Sequence, residues 1–123
     1  MLHPISIGPS FFGPRNDTIV TWLGMAGVLI NSRGTILLID PLLSVSRQNG
    51  AEIVDSGDRL LIHLPLEVGQ VVRADAVLYT HYHADHLNGL DDLRSFCHLQ
   101  RQPIPVYANE ATMQGIVQRF GYA

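Results

Sequence analysis

Short runs of apolar, β-branched and aromatic residues fill the first third of the chain. They lie at residues 18–23, 28–30 and 35–39, and glycine or polar residues separate them. This pattern predicts three strands, with a hairpin turn at residues 31–34, where Asn, Ser and Arg precede a glycine. The run at 35–39 is almost continuously apolar, which predicts a strand buried on both faces.

The last third alternates between strand-like and helix-like patterns. Residues 75–80 and 104–108 are predicted strands. Each is followed by apolar residues at helical spacing, which predicts two helices, the second of them capped by Asn109. The first helical stripe contains Leu90, Leu93, Phe96 and Cys97, and the second contains Met113, Ile116, Val117 and Phe120. This order of elements predicts an α/β domain.

Between these regions, residues 42–59 are polar and show no clear period, which predicts a solvated loop. The alternative is a binding loop in which Ser44, Ser46 and Arg47 contact an anionic substrate, since long loops often carry binding sites. A short apolar run follows, and its His63 is interpreted as a satisfied core residue.

Composition narrows the class of protein. The 123 residues suffice for one domain, so 1–123 is read as a single domain, and 46% hydrophobic residues can build its core. A net charge of −3 offers no basic surface, so neither nucleic acid nor a membrane is an expected partner. Cys97 is the single cysteine, and neither a signal peptide nor an apolar run of about 20 residues is visible. The expected location is the cytoplasm.

Metal-binding residue types cluster in one window of the chain. His81, His83, Asp85 and His86 directly follow the predicted strand at 75–80. In extended backbone, residues two apart point to the same side, so His81 and His83 can bind one metal ion. Asp85 and His86 follow at a turn and can bind a second ion nearby. Imidazole and carboxylate ligands suit zinc, iron or manganese.

This window can support hydrolysis. Two metal ions about 3.5–4 Å apart lower the pKa of a water and hold the attacking and leaving oxygens of a displacement. Asp85 can orient that water or carry protons, which makes it the candidate catalytic residue. The alternative is a chance His-x-His pair on a surface loop. That alternative does not explain why Asp85 and His86 join the pair at fixed offsets after a buried strand.

Two residues outside the window are candidates for supporting it. Thr80 immediately precedes the ligands and can hydrogen-bond one of them. Asp40 follows the strand at 35–39, which Pro41 stops, and α/β proteins place their sites at such carboxyl-end strand tips. A carboxylate there can orient a metal ligand. The alternative reading, on equal terms, is a turn-initiating Asp before a proline.

These motifs resemble those of a known family. Residues 80–86, Thr-His-Tyr-His-Ala-Asp-His, resemble the His-x-His-x-Asp-His signature of the metallo-β-lactamase-fold hydrolases. Residues 38–41 resemble the family's aspartate motif, and residues 22–24 resemble its opening strand. Residues 39–44 look like the sugar-phosphate lactonase branch. Residues 89–94 and 104–108 look like the phosphodiesterase branch, which includes cyclic-phosphate phosphodiesterases.

The resemblance implies a role for each candidate residue. His81 and His83 would bind the first metal, Asp85 and His86 the second, and Asp40 would be a buried supporting group. It also implies a cofactor of two divalent metal ions, zinc, with manganese or iron as alternatives. The substrate would be a small anionic molecule held by that metal charge.

The family's fold is a four-layer αβ/βα sandwich, of which this chain resembles half: one mixed sheet with helices on one face. The remaining metal ligands, two histidines and a bridging aspartate, belong to the family's second half, beyond Ala123. A sheet face that lacks its second half is apolar and binds a partner. The chain is therefore interpreted as truncated, or as a half-fold that pairs with another chain, including a homo-oligomer.

The expected function is a metal-dependent hydrolase that acts on a phosphodiester, a cyclic phosphate. Two alternatives stay open: a lactonase-type hydrolase, and an inactive half-fold that serves as a binding or interaction module. A true β-lactamase is disfavoured because no export signal is visible. A nucleic-acid processor is disfavoured because the chain has no basic cluster.

Overall fold

The structure is a computed structural model that describes residues 7–43, 46–49, 51–53, 60, 63–66, 73–81, 90 and 93–120. A short 3-10 helix at Pro9–Phe12 precedes the first strand. The strands are β1 (Thr18–Gly24), β2 (Gly27–Ser32), β3 (Thr35–Ile39), β4 (Ser46–Gln48), β5 (Ala51–Ile53), β6 (Ala76–Tyr79) and β7 (Val106–Ala108), and the helices are α1 (Leu93–Gln100) and α2 (Glu110–Phe120). The main sheet has the order β1-β2-β3-β6-β7, and β4 and β5 form a second, small sheet.

The first three strands of the main sheet are antiparallel. β1 pairs with β2, and β2 pairs with β3. The β2–β3 hairpin turns at Arg33 and Gly34, whose φ angles are 52° and 92°. Two successive positive φ angles are typical of a type I′ turn, whose twist matches that of a hairpin. The strands and the turn predicted for this region are confirmed.

At β3 the sheet changes from antiparallel to parallel pairing. β6 pairs with β3, and β7 pairs with β6, both in parallel. Where β3 and β6 begin, the Asp75 carboxylate accepts hydrogen bonds from the Ile36 N–H and from the Arg73 guanidinium, each at 2.7 Å. Arg73 also donates to the Gly34 carbonyl. These bonds hold the two strands in register, and the register determines where both strands end.

Both helices cover one face of the main sheet, the helix face. Leu29, Leu38 and Val77 on this face are completely buried. Leu93 of α1 and Ile116 of α2 belong to the same hydrophobic cluster. The predicted architecture, one mixed sheet with helices on one face, is therefore confirmed. Within the described residues, no helix combines the length and the apolar character needed to cross a membrane.

The opposite face of the main sheet, the open face, is apolar on every strand. Cross-strand partners share a face, and its apolar members are Val20, Trp22, Val28, Ile30, Leu37, Ile39, Ala76, Leu78 and Tyr107. Val20, Trp22 and Tyr107 are 68%, 54% and 58% exposed, and the others are half-buried. β3 is therefore fully buried on its helix face alone, and its predicted burial on both faces is wrong for this chain. An apolar second face is what a layered sandwich requires.

Three details of the predicted elements need correction. The loop predicted at residues 42–59 contains the β4–β5 hairpin, because strands of three residues are too short to show a period. β7 begins two residues later than predicted, after Pro105, whose carbonyl accepts a hydrogen bond from the Val77 N–H. Val117, predicted on the apolar stripe of α2, is 60% exposed. Asn109 caps α2 as predicted, with Oδ1 accepting from the Thr112 N–H at 2.9 Å.

Asn31 ties the N-terminal segment to the helix face. Its side chain is completely buried. The amide Nδ2 donates to the carbonyls of Phe11 and Gly13, each at 2.8 Å. Oδ1 accepts from the Gly34 N–H at 2.9 Å. One side chain therefore satisfies three backbone groups that lie up to 20 residues away in sequence.

We expect Asn31→Ala to lower the free energy of unfolding by about 2–4 kcal/mol, because it leaves buried backbone groups without a hydrogen bond. The measurement is urea unfolding followed by Trp22 fluorescence. Asn16→Ala is the matched control, since Asn16 is exposed, and it should change the stability by less than about 0.5 kcal/mol. Equal losses in the two variants would contradict the anchoring role of Asn31.

Candidate metal centre

The parallel register brings Asp40 and Thr80 to the same edge of the sheet. Ile39 is the partner of Leu78, so β3 and β6 end side by side. The Asp40 N–H donates to the Leu78 carbonyl at 2.9 Å, which extends the strand pairing by one bond. The predicted strand tip at Asp40 is therefore confirmed. Its neighbour at this edge is Thr80, which immediately precedes the histidine window.

Asp40 and Thr80 are joined by two hydrogen bonds. The Asp40 carboxylate is 2% exposed. Its Oδ1 accepts from the Thr80 backbone N–H at 2.9 Å, and its Oδ2 accepts from the Thr80 hydroxyl at 2.5 Å. Both partners compensate the cost of burying a charged group. Asp40 has a φ of 42°, a left-handed conformation that Asp tolerates better than most residues.

The same hydroxyl orients His81. Thr80 Oγ1 lies 3.2 Å from His81 Nδ1. A carboxylate has no proton to donate, so the single hydroxyl proton of Thr80 is directed to Asp40. The hydroxyl oxygen can then only accept from His81, which places the ring proton on Nδ1 and the lone pair on Nε2. His81 is half-buried, and its ring is thus held in one tautomer.

A tight turn between β1 and β2 supports this edge of the sheet. A Cβ added to Gly27 would lie 3.3 Å from the Asp40 carbonyl oxygen and 3.1 Å from that of Gly24. The Trp22 indole N–H donates to the Met25 carbonyl at 2.9 Å, and Met25 has a φ of 48°. A side chain at position 27 would therefore be crowded by the turn itself and by the Asp40 backbone. In the sequence, Gly24 and Gly27 indicate a turn between β1 and β2, but they do not indicate that this turn contacts Asp40.

The structure contains another partly buried polar contact that was not predicted, between Glu52 and His63. Glu52 is 4% exposed, and its Oε1 lies 2.9 Å from Nδ1 of His63. His63 is half-exposed, so its interpretation as a core residue is wrong, whereas its interpretation as a satisfied residue is confirmed. Glu52 and His63 are 11 residues apart in a region of the sequence that shows no period. The sequence contains no signal that pairs them.

The remaining window residues, His83, Asp85 and His86, lie outside the described residues, so their positions and roles stay predictions. Among the residues that are described, no group of three or more His, Cys, Asp or Glu side chains is arranged to hold a metal ion. His81, the one described ligand candidate, has the chemistry a metal needs. Metal-binding histidines usually donate their second ring N–H to an oxygen, as His81 does to Thr80.

Comparison with known families identifies the chain. A family model described as the beta-lactamase superfamily domain matches residues 35–123, from the start of β3 to the last residue. The chain belongs to this superfamily. The match includes both Asp40 and the histidine window. The resemblance to the metallo-β-lactamase fold is thus confirmed for the superfamily, and the branch within it stays a prediction.

Two curated relatives of this superfamily member differ in the reactions for which they are named. An octanoyltransferase from Porphyromonas gingivalis is 38% identical over 76 residues, which cover 57% of this chain and 15% of the relative. A hydroxyacylglutathione hydrolase from Yersinia pestis is 40% identical over 70 residues, which cover 57% of this chain and 26% of the relative. The matched part of the chain thus spans roughly a sixth to a quarter of the length of these relatives.

A solved structure supports the fold. CmlA, a diiron beta-hydroxylase from Streptomyces venezuelae, superposes with a TM-score of 0.52 and 24% sequence identity. The similarity covers 89% of this chain and 20% of CmlA. This chain therefore has the α/β architecture of one part of the larger CmlA structure.

We expect Asp40→Asn to lower the free energy of unfolding by about 1–3 kcal/mol, because one buried charge-assisted hydrogen bond to Thr80 is lost. Asn tolerates the left-handed backbone, so the effect reports on the side chain. In ring ¹⁵N spectra of metal-free protein, His81 should carry its proton on Nδ1 and should lose this preference in the variant. Asp17→Asn is the control, at an exposed carboxyl whose pKa the Arg15 hydrogen bond lowers. An unchanged His81 spectrum in Asp40→Asn would contradict the proposed chain of hydrogen bonds.

Proposed function

We propose that this chain forms the metal-binding part of a metal-dependent hydrolase. The hydrogen-bonded series Asp40–Thr80–His81 carries this proposal, because it orients a histidine at the carboxyl ends of two parallel strands in a member of the beta-lactamase superfamily. His81 and His83 would bind one divalent ion, and Asp85 and His86 a second. Zinc is the proposed metal, with manganese or iron as alternatives.

Each residue has a separate task in this proposal. When bound, the two ions lower the pKa of a water and stabilise negative charge on the substrate. His81 is presented in one tautomer by Thr80, and Asp40 keeps the Thr80 hydroxyl turned toward itself. Asp85 would orient the attacking water and accept its proton. Because His81 is pre-oriented, less conformational entropy is lost when the ligands assemble.

The proposed substrate is a small phosphodiester, a cyclic phosphate. The chain has a net charge of −3, so the attraction for an anionic substrate would come from the metal ions. A lactone is the second candidate, because residues 39–44 resemble the lactonase branch. Hydrolysis as the reaction type is supported by the name of one relative, the hydroxyacylglutathione hydrolase.

A longer protein or a partner would complete this centre. The open face offers nine apolar side chains, with Val20, Trp22 and Tyr107 more than half exposed. The chain also spans only 15% and 26% of the two curated relatives. We therefore include in the proposal a second αβ layer that covers the open face and contributes further metal ligands. The third possibility is a module that binds metal without turnover. It applies if no second layer contributes the further metal ligands.

We expect the protein, purified with any chain that its gene encodes beyond Ala123, to bind zinc, manganese or iron and to hydrolyse bis-p-nitrophenyl phosphate. His83→Ala should lose both properties, since it removes a proposed ligand. His98→Ala is the matched control, because His98 is exposed on α1 and should leave both unchanged. Metal content by mass spectrometry and release of p-nitrophenolate are the measurements. Failure to bind any of the three metals would contradict the proposal, and binding without turnover would favour the module.

Thr80→Val should weaken metal binding by about 10–100-fold, because the oxygen that orients His81 is lost while the side-chain shape is kept. Thr80→Ser keeps the hydroxyl and should restore most of the affinity. Competition with a chromogenic chelator measures the affinity of each variant. Equal affinity for Thr80→Val and the wild type would show that Thr80 does not act on the metal ligand.

A further inference from the structure

The pair formed by Glu52 and His63 has the features of an oriented proton-transfer group. Glu52 Oε1 and His63 Nδ1 are 2.9 Å apart, and a carboxylate can only accept, so Nδ1 carries the proton. The Glu52 side chain is 5% exposed, whereas 37% of the His63 side chain is exposed. A buried carboxylate thus holds a half-exposed imidazole by one nitrogen and fixes its orientation. A carboxylate that orients a catalytic histidine uses the same arrangement.

Packing contacts connect the segment that carries His63 with the edge of the sheet that carries Asp40. The side chain of Leu64, next to His63 in sequence, lies 3.3 Å from where a Cβ on Gly24 would be. Gly24 ends β1, and Gly27 across the same turn lies against the Asp40 carbonyl. Two packing contacts therefore connect the segment that carries His63 with the strand tip that carries Asp40.

A second connection runs through the small sheet. Leu42, two residues after Asp40, is 1% exposed and forms a buried cluster with Leu60. The Leu60 N–H donates to the Glu52 carbonyl at 2.9 Å. The backbone of Glu52 is thus anchored beside the segment that leaves the Asp40 strand tip.

The surroundings of the pair favour a directed hydrogen bond. Leu64, which follows His63, and Leu60, whose N–H donates to the Glu52 carbonyl, belong to an apolar cluster with Leu42 and Met25. Glu52 is a charged group in contact with the His63 ring. Apolar neighbours lower the local dielectric and strengthen the bond between the two side chains.

We propose that His63, positioned by Glu52, donates the proton to the leaving group in the hydrolysis proposed above, on which this inference rests. The water oxygen forms a bond to phosphorus, and the bond from phosphorus to the leaving oxygen breaks. That oxygen takes the Nε2 proton of the imidazolium and becomes the hydroxyl group of the ring-opened phosphomonoester. The neutral ring keeps its Nδ1 proton on Glu52, and its exposed part regains a proton from solvent. For the alternative lactone substrate, the ring oxygen would receive the same proton.

Two substrates with different leaving groups test this role. p-Nitrophenolate departs from bis-p-nitrophenyl phosphate without protonation, whereas the alkoxide of ethylene phosphate, a cyclic phosphodiester, needs a proton. We expect His63→Gln to slow hydrolysis of ethylene phosphate by about 10²–10⁴-fold and to change the rate with bis-p-nitrophenyl phosphate by less than about threefold. Gln can still donate to Glu52, so the variant keeps the structural link. His98→Gln is the matched control and should slow neither substrate.

A measurement without catalysis tests the positioning by Glu52. In metal-free protein, ring ¹⁵N spectra should show the neutral His63 ring with its proton on Nδ1, and Glu52→Leu, which removes the acceptor, should abolish this preference. The preference should survive in Asp40→Asn, because that carboxylate orients His81 instead. A His63 ring that shows no Nδ1 preference in the wild type would overturn the inference.

The kinetic outcomes separate the two proposals. If the wild type hydrolyses both substrates and His63→Gln slows both equally, the pair is a structural link and the inference is wrong, while the hydrolase proposal stands. If the metal-loaded wild type hydrolyses neither substrate, the proposed phosphodiesterase function is wrong and the inference falls with it. A selective loss with ethylene phosphate, together with loss of the basic limb of its pH–rate profile, supports the inference.

Discussion

The parallel pairing of β3 with β6 is the constraint on which the candidate site depends. It joins two strand ends that are 40 residues apart in sequence and places Asp40 beside Thr80. At the other end of the same pair, Asp75 and Arg73 bind the start of β3. A slip of one residue would exchange the two faces of the strand and remove Asp40 from its partner. The hydrogen bonds at both ends and the apolar face therefore favour the same register.

The buried carboxylate of Asp40 links the stability of this register to the chemistry of the site. A buried charge is costly unless it is hydrogen-bonded, and both described bonds come from Thr80. Thr80 in turn accepts from His81, so the strand pairing also determines how the first histidine of the window is presented. The left-handed backbone of Asp40 and the close approach of Gly27 show that this corner is closely packed. Conformational strain of this kind is common where side chains must be held for function.

The two faces of the main sheet have different environments. Both helices pack on the helix face, where Leu38 and Val77 are completely buried. The open face is equally apolar along β1, β2 and β3, yet Val20 and Trp22 remain more than half exposed. This asymmetry agrees with membership in a superfamily in which both curated relatives reported above are longer than this chain. A second layer on this face would bury those side chains and bring further ligands to the same edge.

Much of this could be predicted from the sequence, and the exceptions have physical causes. Hydrophobic runs, the polar turn before Gly34 and the helical spacing around Ile116 are local signals, so the main strands and both helices were predictable. The candidate roles of Thr80 and Asp40 as supporting groups were also predictable, because each adjoins a strand end. The β4–β5 hairpin was not, since its three-residue strands show no period. Because this hairpin was not predicted, the contact between Glu52 in β5 and His63 was not predicted either.

The sequence by itself therefore determined which residues are candidates for the site: histidines and an aspartate after a strand, and an aspartate at another strand tip. Only the tertiary structure decided how these groups are connected. The hydrogen bonds of Asp40 to Thr80 and of Glu52 to His63 join residues that are 40 and 11 positions apart. Local preferences act between near neighbours, whereas such pairs form only after strands have aligned. For this reason the tautomer of His81, the burial of Asp40 and the orientation of His63 depend on the fold.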